Sequence, residues 1–414
     1  MCLKEKLLFK KKNKYNYGTE TFIYWWYLNI SRKRVKMETQ LITMQNKKFV
    51  LGQYFTKEEI VKRVLALLQN YKDYSLSSSI LEPSSGTRNF VKELEKRGFE
   101  NISECEIDEA LTESPKDFFD LELSKKFDLI IGNPPFTKYN VKESYFYPSN
   151  YKNNSFLSKE LQKKEKIQIE KAFILKSIEH LKNQDSSLAF VLPISFFIGN
   201  KNKETKKIVL DKFSTIIIYQ NDKNWFDEPI PCCFAIFTNI EEYKEKAILL
   251  YEDGVCVNEI LDKERLLKEE LIPQSFLYKK KNGNGNGTHH LQDYLSDKRI
   301  KYSRDYKTNN ISGANILTKT KIPEGKDVKD YALAVVRVGN SSIGKTGLIN
   351  IQEDILNDMF YVFGFNEKYS YDKLLKEKVV EELNKNQEHF RNLSIRVGSK
   401  SMKKADLLDF RINL

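Results

Sequence analysis

Residues 133–136, with the sequence Asn-Pro-Pro-Phe, place an amide, two prolines and an aromatic ring directly after a segment, 128–131, that predicts a buried strand. Neither proline has a backbone N–H, so the chain cannot continue a sheet ladder there and forms a stiff tip with bare carbonyls. Such a tip can accept hydrogen bonds from an exocyclic amine and stack on the ring that carries the amine. The alternative is a plain strand-to-loop turn in which the prolines only end the strand.

A second candidate site lies upstream of this tip. Residues 79–90 predict a strand, a turn and a helix, with Glu82 at the strand end and Gly86 in the turn. An acid followed by small residues and glycine lets the backbone approach a ligand closely. Glu106, at the end of the next predicted strand, is placed where an acid can bind ribose hydroxyls. Taken singly, these features also fit an ordinary turn and a solvated carboxylate.

Strands and helices alternate through the part of the chain that carries these residues. Thr56 begins a capping-box pattern and is the predicted N-cap of an amphipathic helix that runs to Tyr71. The alternation predicts a doubly wound α/β sheet. A closing helix is predicted over 259–271, with Asn258 as its N-cap. The other predicted strands are 79–82, 102–107, 188–192, 215–219, 232–237 and 247–251, and the other predicted helices are 89–97, 169–181 and 202–212.

The clearest linker in the sequence is the Lys-rich and Asn-Gly-rich segment 279–290, because alternating Asn and Gly cannot pack a core and cost much entropy to order. Beyond it come short strands rich in Val, Gly and Tyr and a long helix from about Tyr371 to Leu393. We therefore predict a boundary near residue 279, with a catalytic domain over 37–278 and a second domain over 279–414.

Charge is distributed unevenly over a chain of 414 residues with a net charge of +12. Residues 1–36 hold 10 Lys or Arg and 2 Asp or Glu, and residues 279–414 hold 25 and 17, so each segment is at +8. The remainder, 37–278, is at −4. A slightly acidic catalytic segment beside a basic module fits an enzyme that binds a polyanion, although Lys-rich proteomes also produce such net charges.

The remaining composition argues against several classes of protein. The five cysteines form no Cys-x-x-Cys pair and the four histidines form no ligand-spaced cluster, so a reducing, cytoplasmic compartment and no metal site are predicted. The apolar run Thr21–Ile30 is too short to span a bilayer, which predicts no membrane association. Met37 is the predicted biological start, with 1–36 a basic arm or an upstream extension.

The motifs and their order resemble the gamma-group adenine-N6 DNA methyltransferases, which transfer methyl from S-adenosylmethionine. The Asn-Pro-Pro-Phe tip is their signature, and specific motifs match over residues 48–240, whereas 279–414 match only loosely. The resemblance implies a Rossmann-like methyltransferase sheet followed by a C-terminal α+β target-recognition domain. It also implies duplex DNA as substrate and a separate restriction endonuclease as the partner of a type II system, with the methyltransferase a monomer.

The same resemblance suggests which residues hold the methyl donor. Thr56 would reach the donor's carboxylate, which a helix N-terminus also favours. Glu82 and Gly86 would hold the methionine moiety, and Glu106 the ribose hydroxyls. One departure matters: Arg88 stands where the family has a second glycine, which puts donor affinity in doubt.

The donor's adenine is assigned to Asp117 and Phe118. By the resemblance, Asp117 would accept from the adenine amine and Phe118 would pack against its ring. The alternative for Asp117 is a helix cap, and without the family the two interpretations carry equal weight.

The target base would be an adenine flipped out of the duplex, because its amine cannot be reached within a stacked helix. The side-chain oxygen of Asn133 and the carbonyl of Pro134 would accept the two N6 hydrogens. Phe136 and Phe226 would stack on the base, with Trp225 the less favoured neighbour and a core role the alternative for Phe226.

In the C-terminal part, a predicted strand-turn-strand over 335–345 carries Arg337 and Lys345, which could contact DNA or simply belong to a surface hairpin. Two other functions stay open. The chain could methylate cytosine N4, RNA or a protein glutamine, although Asn133 argues against cytosine N4. It could also be a non-catalytic DNA-binding subunit, for which Arg88 is the best argument.

Overall fold

The chain divides into two units, Met1–Gln53 and Tyr54–Leu414, and the second is described over most of its length. The predicted basic arm, 1–36, lies outside the described residues. The structure, a computed structural model, describes residues 51–140, 166–198, 202–296, 300, 311–394 and 401–414.

Eight strands of the first half form one mixed sheet in the order β10-β9-β7-β8-β6-β3-β1-β2, and β4 pairs with β5 separately. The ten strands are β1 (Ile80–Glu82), β2 (Ile102–Glu104), β3 (Leu129–Gly132), β4 (Lys138–Asn140), β5 (Lys166–Gln168), β6 (Ser187–Pro193), β7 (Thr215–Asn221), β8 (Cys232–Thr238), β9 (Lys246–Asp253) and β10 (Val255–Asp262).

Strands β2, β1, β3 and β6 are mutually parallel, so their carboxyl ends meet at one edge of the sheet. Strand β8 is antiparallel to both of its neighbours, β6 and β7, and therefore β7 again runs in the direction of β6. The carboxyl end of β7 thus lies at the same edge as those of β1 and β3. In open α/β sheets, ligands bind outside this edge.

Helices cover both faces of the sheet, as the alternation in the sequence predicts. They are α1 (Glu58–Tyr71), α2 (Asn89–Lys96), α3 (Ile169–Glu179) and α4 (Lys203–Lys212). Successive strand residues point to opposite faces: Leu129 and Ile131 join a core with α1 and α2, whereas Ile130 joins a core with α3 and α4. This is the predicted doubly wound, Rossmann-like α/β class.

The second half contains a three-stranded antiparallel sheet, in the order β13-β12-β14, and helices that give it α+β character. Its apolar residues form cores of their own, around Leu333 and Val379 and around Ile316 and Phe360. Two helices precede these cores, α5 (Arg265–Lys268) and α6 (Pro273–Asn282), and Leu266 and Ile272 at these helices join the core of the first sheet that contains Ile130. The other elements are β11 (His289–His290), β12 (Tyr331–Val336), β13 (Thr346–Asn350), β14 (Phe360–Phe363), α7 (Lys373–Lys385), α8 (Gln387–Leu393), α9 (Lys404–Leu408) and β15 (Arg411–Ile412).

Several predicted elements differ from the structure. The long helix predicted from about Tyr371 to Leu393 is two helices, α7 and α8, which meet at Asn386. The helix predicted over 259–271 is wrong: Asn258 lies inside strand β10, where it pairs with Leu250, and only Arg265–Lys268 is helical. Gly254, with φ of +71°, turns the chain back so that the following residues pair with β9 as an edge strand instead of forming a helix. The predicted linker also begins too early, since α6 continues through residue 279 to Asn282. The domain boundary itself stays a prediction.

No helix among the described residues combines the length and apolar character needed to cross a membrane.

Candidate active site

The side-chain amide of Asn133, just past the carboxyl end of β3, has its orientation set by a backbone carbonyl. Nδ2 of Asn133 donates to the carbonyl oxygen of Tyr54 at 2.6 Å. Only the nitrogen can donate, so Oδ1 faces the other way, where it is buried and has no partner among the described residues. The Ser84 hydroxyl also donates to the Asn133 carbonyl, at 3.0 Å. An acceptor held in place and left unpaired is suited to an amine donor from a ligand.

Three aromatic rings cluster beside this amide. The Phe136 ring is 5.8 Å from Phe226 and 5.9 Å from Tyr54, and Tyr54 is 6.0 Å from Phe226, each measured between ring centroids. Phe136 is partly exposed, whereas Phe226 is fully buried. The structure therefore brings the two predicted stacking residues together. It adds Tyr54, two residues before Thr56, which the sequence analysis missed.

Thr56 is not the N-cap of helix α1, contrary to the prediction. The N-cap residue is Lys57, and no side chain caps the helix there. Thr56 is 5% exposed and its hydroxyl has no partner among the described residues, while its carbonyl accepts from Asn89 Nδ2 at 2.8 Å. The chain enters the helix one residue later than the capping pattern suggests, and this leaves the hydroxyl available to a ligand.

Glu82, at the carboxyl end of β1, is a buried carboxyl group with an unpaired oxygen, Oε2. Burial, reinforced by the charges of Glu104 and Glu106, raises the pKa of Glu82 well above its ordinary value. The neighbouring strand makes room for it through Gly132, because a Cβ at that position would lie 2.8 Å from Oε1 of Glu82. Burial therefore favours the protonated form of this carboxyl group, which can both donate and accept.

The Glu106 carboxylate links the turn that follows β1 to the turn that follows β2 through hydrogen bonds. Its Oε2 accepts from the backbone N–H of Gly86 at 2.7 Å, and its Oε1 accepts from that of Asp108 at 2.8 Å. Gly86 adopts φ of +51°, and a Cβ there would lie 3.1 Å from the Phe55 ring. Both the left-handed backbone and the limited space therefore favour glycine at this position. Glu106 thus supports the turn, and its contact with a ribose stays a prediction.

Arg88 directs its side chain toward acidic residues outside the turn. Its Nε lies 2.9 Å from Glu104 and its Nη2 lies 3.1 Å from Glu95. The backbone of Arg88 is left-handed, with φ of 64°, which explains why a glycine would fit this position without strain. Partly exposed pairs of this kind contribute about 0–1 kcal/mol, so they offset the strained backbone only in part.

Asp117 and Phe118 are placed by local structure and core packing. The Asp117 side chain accepts from the Phe119 N–H at 2.9 Å and caps a short 3-10 helix, Phe118–Asp120. Partial burial raises the pKa of Asp117. Phe118 is 1% exposed, and its ring lies 5.1 Å from that of Phe173. The cap is therefore present, and the contacts of both residues with a donor adenine stay predictions.

Arg337 and Lys345 flank one turn in the second half, where the Val336 N–H donates to the Lys345 carbonyl at 2.9 Å. Arg337 is engaged within the protein: Nε donates to the Asp358 carbonyl at 2.5 Å and the guanidinium lies 5.6 Å from the Tyr361 ring centre. Lys345 is partly exposed. The structure brings the two cations to the same turn, and a role in binding DNA stays a prediction.

Comparisons with known proteins match the part of the chain that holds this site. Residues 56–226 match the family described as Eco57I restriction-modification methylase. The chain is 32% identical over 187 residues to type II methyltransferase M.HincII of Haemophilus influenzae, covering 43% of this chain and 35% of that protein. It is 29% identical over 234 residues to modification methylase CviBIII of Paramecium bursaria Chlorella virus NC1A, covering 52% and 56%.

Among solved structures, the type IIG restriction endonuclease BpuSI aligns with a TM-score of 0.45 at 13% identity, over 86% of this chain and 58% of that chain. The chain spans from about a third to just over half of the length of the curated relatives it matches. A methylase domain of this family implies S-adenosylmethionine as methyl donor. The segment that matches the family described as Eco57I restriction-modification methylase, residues 56–226, runs from the unpaired hydroxyl of Thr56 to the buried ring of Phe226.

Proposed function

We propose that this protein is a site-specific DNA methyltransferase that transfers a methyl group from S-adenosylmethionine to the N6 amine of a flipped adenine. The observation that carries the proposal is the Asn133 amide, whose nitrogen is committed to Tyr54 and whose buried oxygen is unpaired. An amine donor is the complement of this oxygen, and the aromatic rings beside it are the complement of a base.

The residues around the β1 and β2 ends fit the methyl donor. The unpaired atoms Thr56 Oγ1 and Glu82 Oε2 can bind the polar groups of its methionine part, and the glycine turn at Gly86 allows close approach. Glu106 would bind the ribose, with Asp117 and Phe118 at the adenine. When bound, the donor supplies an electrophilic sulfonium methyl group.

At the target base, the residues of the tip orient an amine that is otherwise a poor nucleophile. Asn133 Oδ1 and the Pro134 carbonyl each accept one N6 hydrogen, which favours a pyramidal nitrogen whose lone pair points toward the donor. Positioning and polar preorganisation are then the source of the rate, and no covalent protein intermediate is needed. Phe136 and Phe226 replace the stacking that the base loses on flipping, a contribution of about 1–3 kcal/mol per base.

DNA binding is proposed for residues 279–414, which carry +8, with Arg337 and Lys345 at the protein surface facing DNA. The relatives named as type II methyltransferases support a restriction-modification role in the cytoplasm, in which methylation protects DNA from a separate endonuclease. We propose that the methyltransferase acts as a monomer.

The test is to express the chain in a host that lacks DNA methylation and to map modified bases by sequencing. N6-methyladenine in one sequence context is expected. Methylcytosine, or no modified base despite S-adenosylmethionine binding measured by calorimetry, would contradict the proposal.

A further inference from the structure

The loop that carries Phe226 connects β7 to β8 and starts from the sheet edge where the candidate site lies. Residue 225, immediately before Phe226, anchors this loop twice. The Trp225 carbonyl accepts from the Lys57 N–H at 3.0 Å, next to Thr56. The Trp225 indole N–H donates to Asn221 Oδ1 at 2.7 Å. The two anchors hold the backbone and the side chain of the same residue.

The indole contact is the end of a longer chain of polar groups. Nδ2 of Asn221 donates to the Tyr219 hydroxyl at 3.0 Å, and this hydroxyl donates to Glu252 Oε2. The same carboxylate oxygen accepts from Arg63 Nε at 2.7 Å. The chain therefore connects helix α1 and strands β9 and β7 to the loop.

The protonation states give each of these hydrogen bonds one direction. Burial, together with the hydrogen bond to Glu252, raises the pKa of Tyr219 to about 12, so the phenol keeps its proton. Partial burial pushes the pKa of Glu252 upward, but hydrogen bonds from Tyr219 and Arg63 leave it below its ordinary value. Tyr219 therefore donates to an ionised Glu252 and can only accept from Asn221. This leaves Asn221 Oδ1 as the acceptor for Trp225.

Packing alone would bury the indole of Trp225, which is 3% exposed, but would not select its rotation. The directed chain of hydrogen bonds restricts that rotation, and the ring of the next residue, Phe226, lies against those of Tyr54 and Phe136. Small displacements of groups that hold a substrate are costly to a reaction that depends on positioning.

We infer that Asn221 and Trp225 are positioning residues that set the Phe226 ring for stacking on the extruded base. The inference rests on the proposed function, and it adds a positioning role that the sequence motifs do not assign. Arg63, Tyr219 and Glu252 support these two residues from the sheet and from helix α1.

The experiment compares Trp225→Phe, which keeps a ring but removes the indole N–H, and Asn221→Ala with a matched control, Asn183→Ala. Asn183 and Asn221 both accept from a backbone N–H two residues ahead, at 2.9 Å and 3.2 Å, but Asn183 precedes β6 at the opposite edge of the sheet. The probe is a duplex with the mapped site and 2-aminopurine at the methylated position, whose fluorescence rises when the base is unstacked.

Both variants should flip the base less stably, with a several-fold smaller fluorescence rise and kcat lower by roughly 10- to 100-fold. Their affinity for S-adenosylmethionine should stay within about 2-fold of the wild type, since the donor residues are untouched. Asn183→Ala should keep both the fluorescence rise and kcat.

Unchanged fluorescence and kcat in Trp225→Phe and Asn221→Ala would overturn the inference, and so would an equal loss in Asn183→Ala or a matching loss of donor affinity. These outcomes differ from failure of the proposed function. In that case the wild-type protein itself methylates no adenine, and the positioning role falls with it.

Discussion

The two halves of the described chain treat their buried polar groups differently. All seven buried side-chain atoms without a partner among the described residues lie between Thr56 and Asn202, and three of them belong to Thr56, Glu82 and Asn133. In the second half, even the buried ammonium of Lys376 is satisfied, by the carbonyls of Val328 and Tyr331 at 2.7 and 3.0 Å. Unpaired buried groups cost stability, so the three on Thr56, Glu82 and Asn133 fit a candidate site that is preorganised for a ligand.

The contrast also fits the two ways of binding that we propose. The first half presents few, fixed, desolvated atoms, which suits a small donor and a single base. The second half presents cations near its surface, which suits the phosphates of a duplex. The other four unpaired atoms, on Tyr74, Ser177, His180 and Asn202, are not explained by the candidate site.

The largest effect is expected from Asn133→Ala. Removing an acceptor that acts on the reacting amine should lower kcat by roughly 10²–10³-fold, by analogy with the loss of one preorganised donor in other enzymes. DNA and donor binding should persist. The control is Asn239→Ala, since Asn239 also donates to a carbonyl, that of Gln184 at 2.7 Å, but at the opposite edge of the sheet. Full activity in Asn133→Ala would contradict the proposed mechanism.

A second effect is expected from Glu82→Gln, which keeps shape and hydrogen bonding but removes titration. Because the pKa of Glu82 is raised in the folded state, the folded protein holds a proton that the unfolded chain releases above about pH 4.5. The wild type should therefore lose stability as the pH rises from 4.5 toward the raised pKa, and the variant should not. Urea unfolding at several pH values measures this, and parallel curves would show that Glu82 ionises normally.

Lys345→Ala should act only on DNA. Loss of one phosphate contact changes the slope of log affinity against log salt concentration by about 0.9, and affinity for S-adenosylmethionine should be unchanged. Lys326→Ala, at an exposed lysine paired with Glu353 at 2.7 Å, serves as a charge-matched comparison. Equal slopes for Lys345→Ala and the wild type would remove this turn from the proposed DNA surface.

Arg88→Gly should produce the smallest effect. Glycine relieves the left-handed backbone, worth about 1–2 kcal/mol, and the lost pairs with Glu104 and Glu95, worth about 0–1 kcal/mol, offset this gain only in part. Donor affinity by calorimetry should stay equal or rise modestly. A clear fall would mean that Arg88 itself contributes to donor binding, and the contrast between a pocket of fixed atoms and a charged surface would then need revision.

Local patterns were enough to predict much of the first half. The alternation of strands and helices, the prolines after β3 and the acids at two strand ends depend on backbone chemistry and burial, which neighbouring residues express directly. The sheet class and the convergence of residues 82, 106 and 133 at one edge follow from them, since parallel strands end together.

The tertiary structure alone decided which atoms stayed unpaired. The local pattern predicts Thr56 as a helix N-cap, but the helix begins at Glu58 and its N-cap is Lys57. The role of Tyr54 depends on a hydrogen bond from Asn133, which lies 79 residues away in the sequence. Strand β10 was mistaken for a helix because pairing along the sheet edge outweighed local spacing. Long-range hydrogen bonds and sheet pairing bring together residues that no local pattern relates, and for that reason the orientation of the Asn133 amide was visible only in the folded chain.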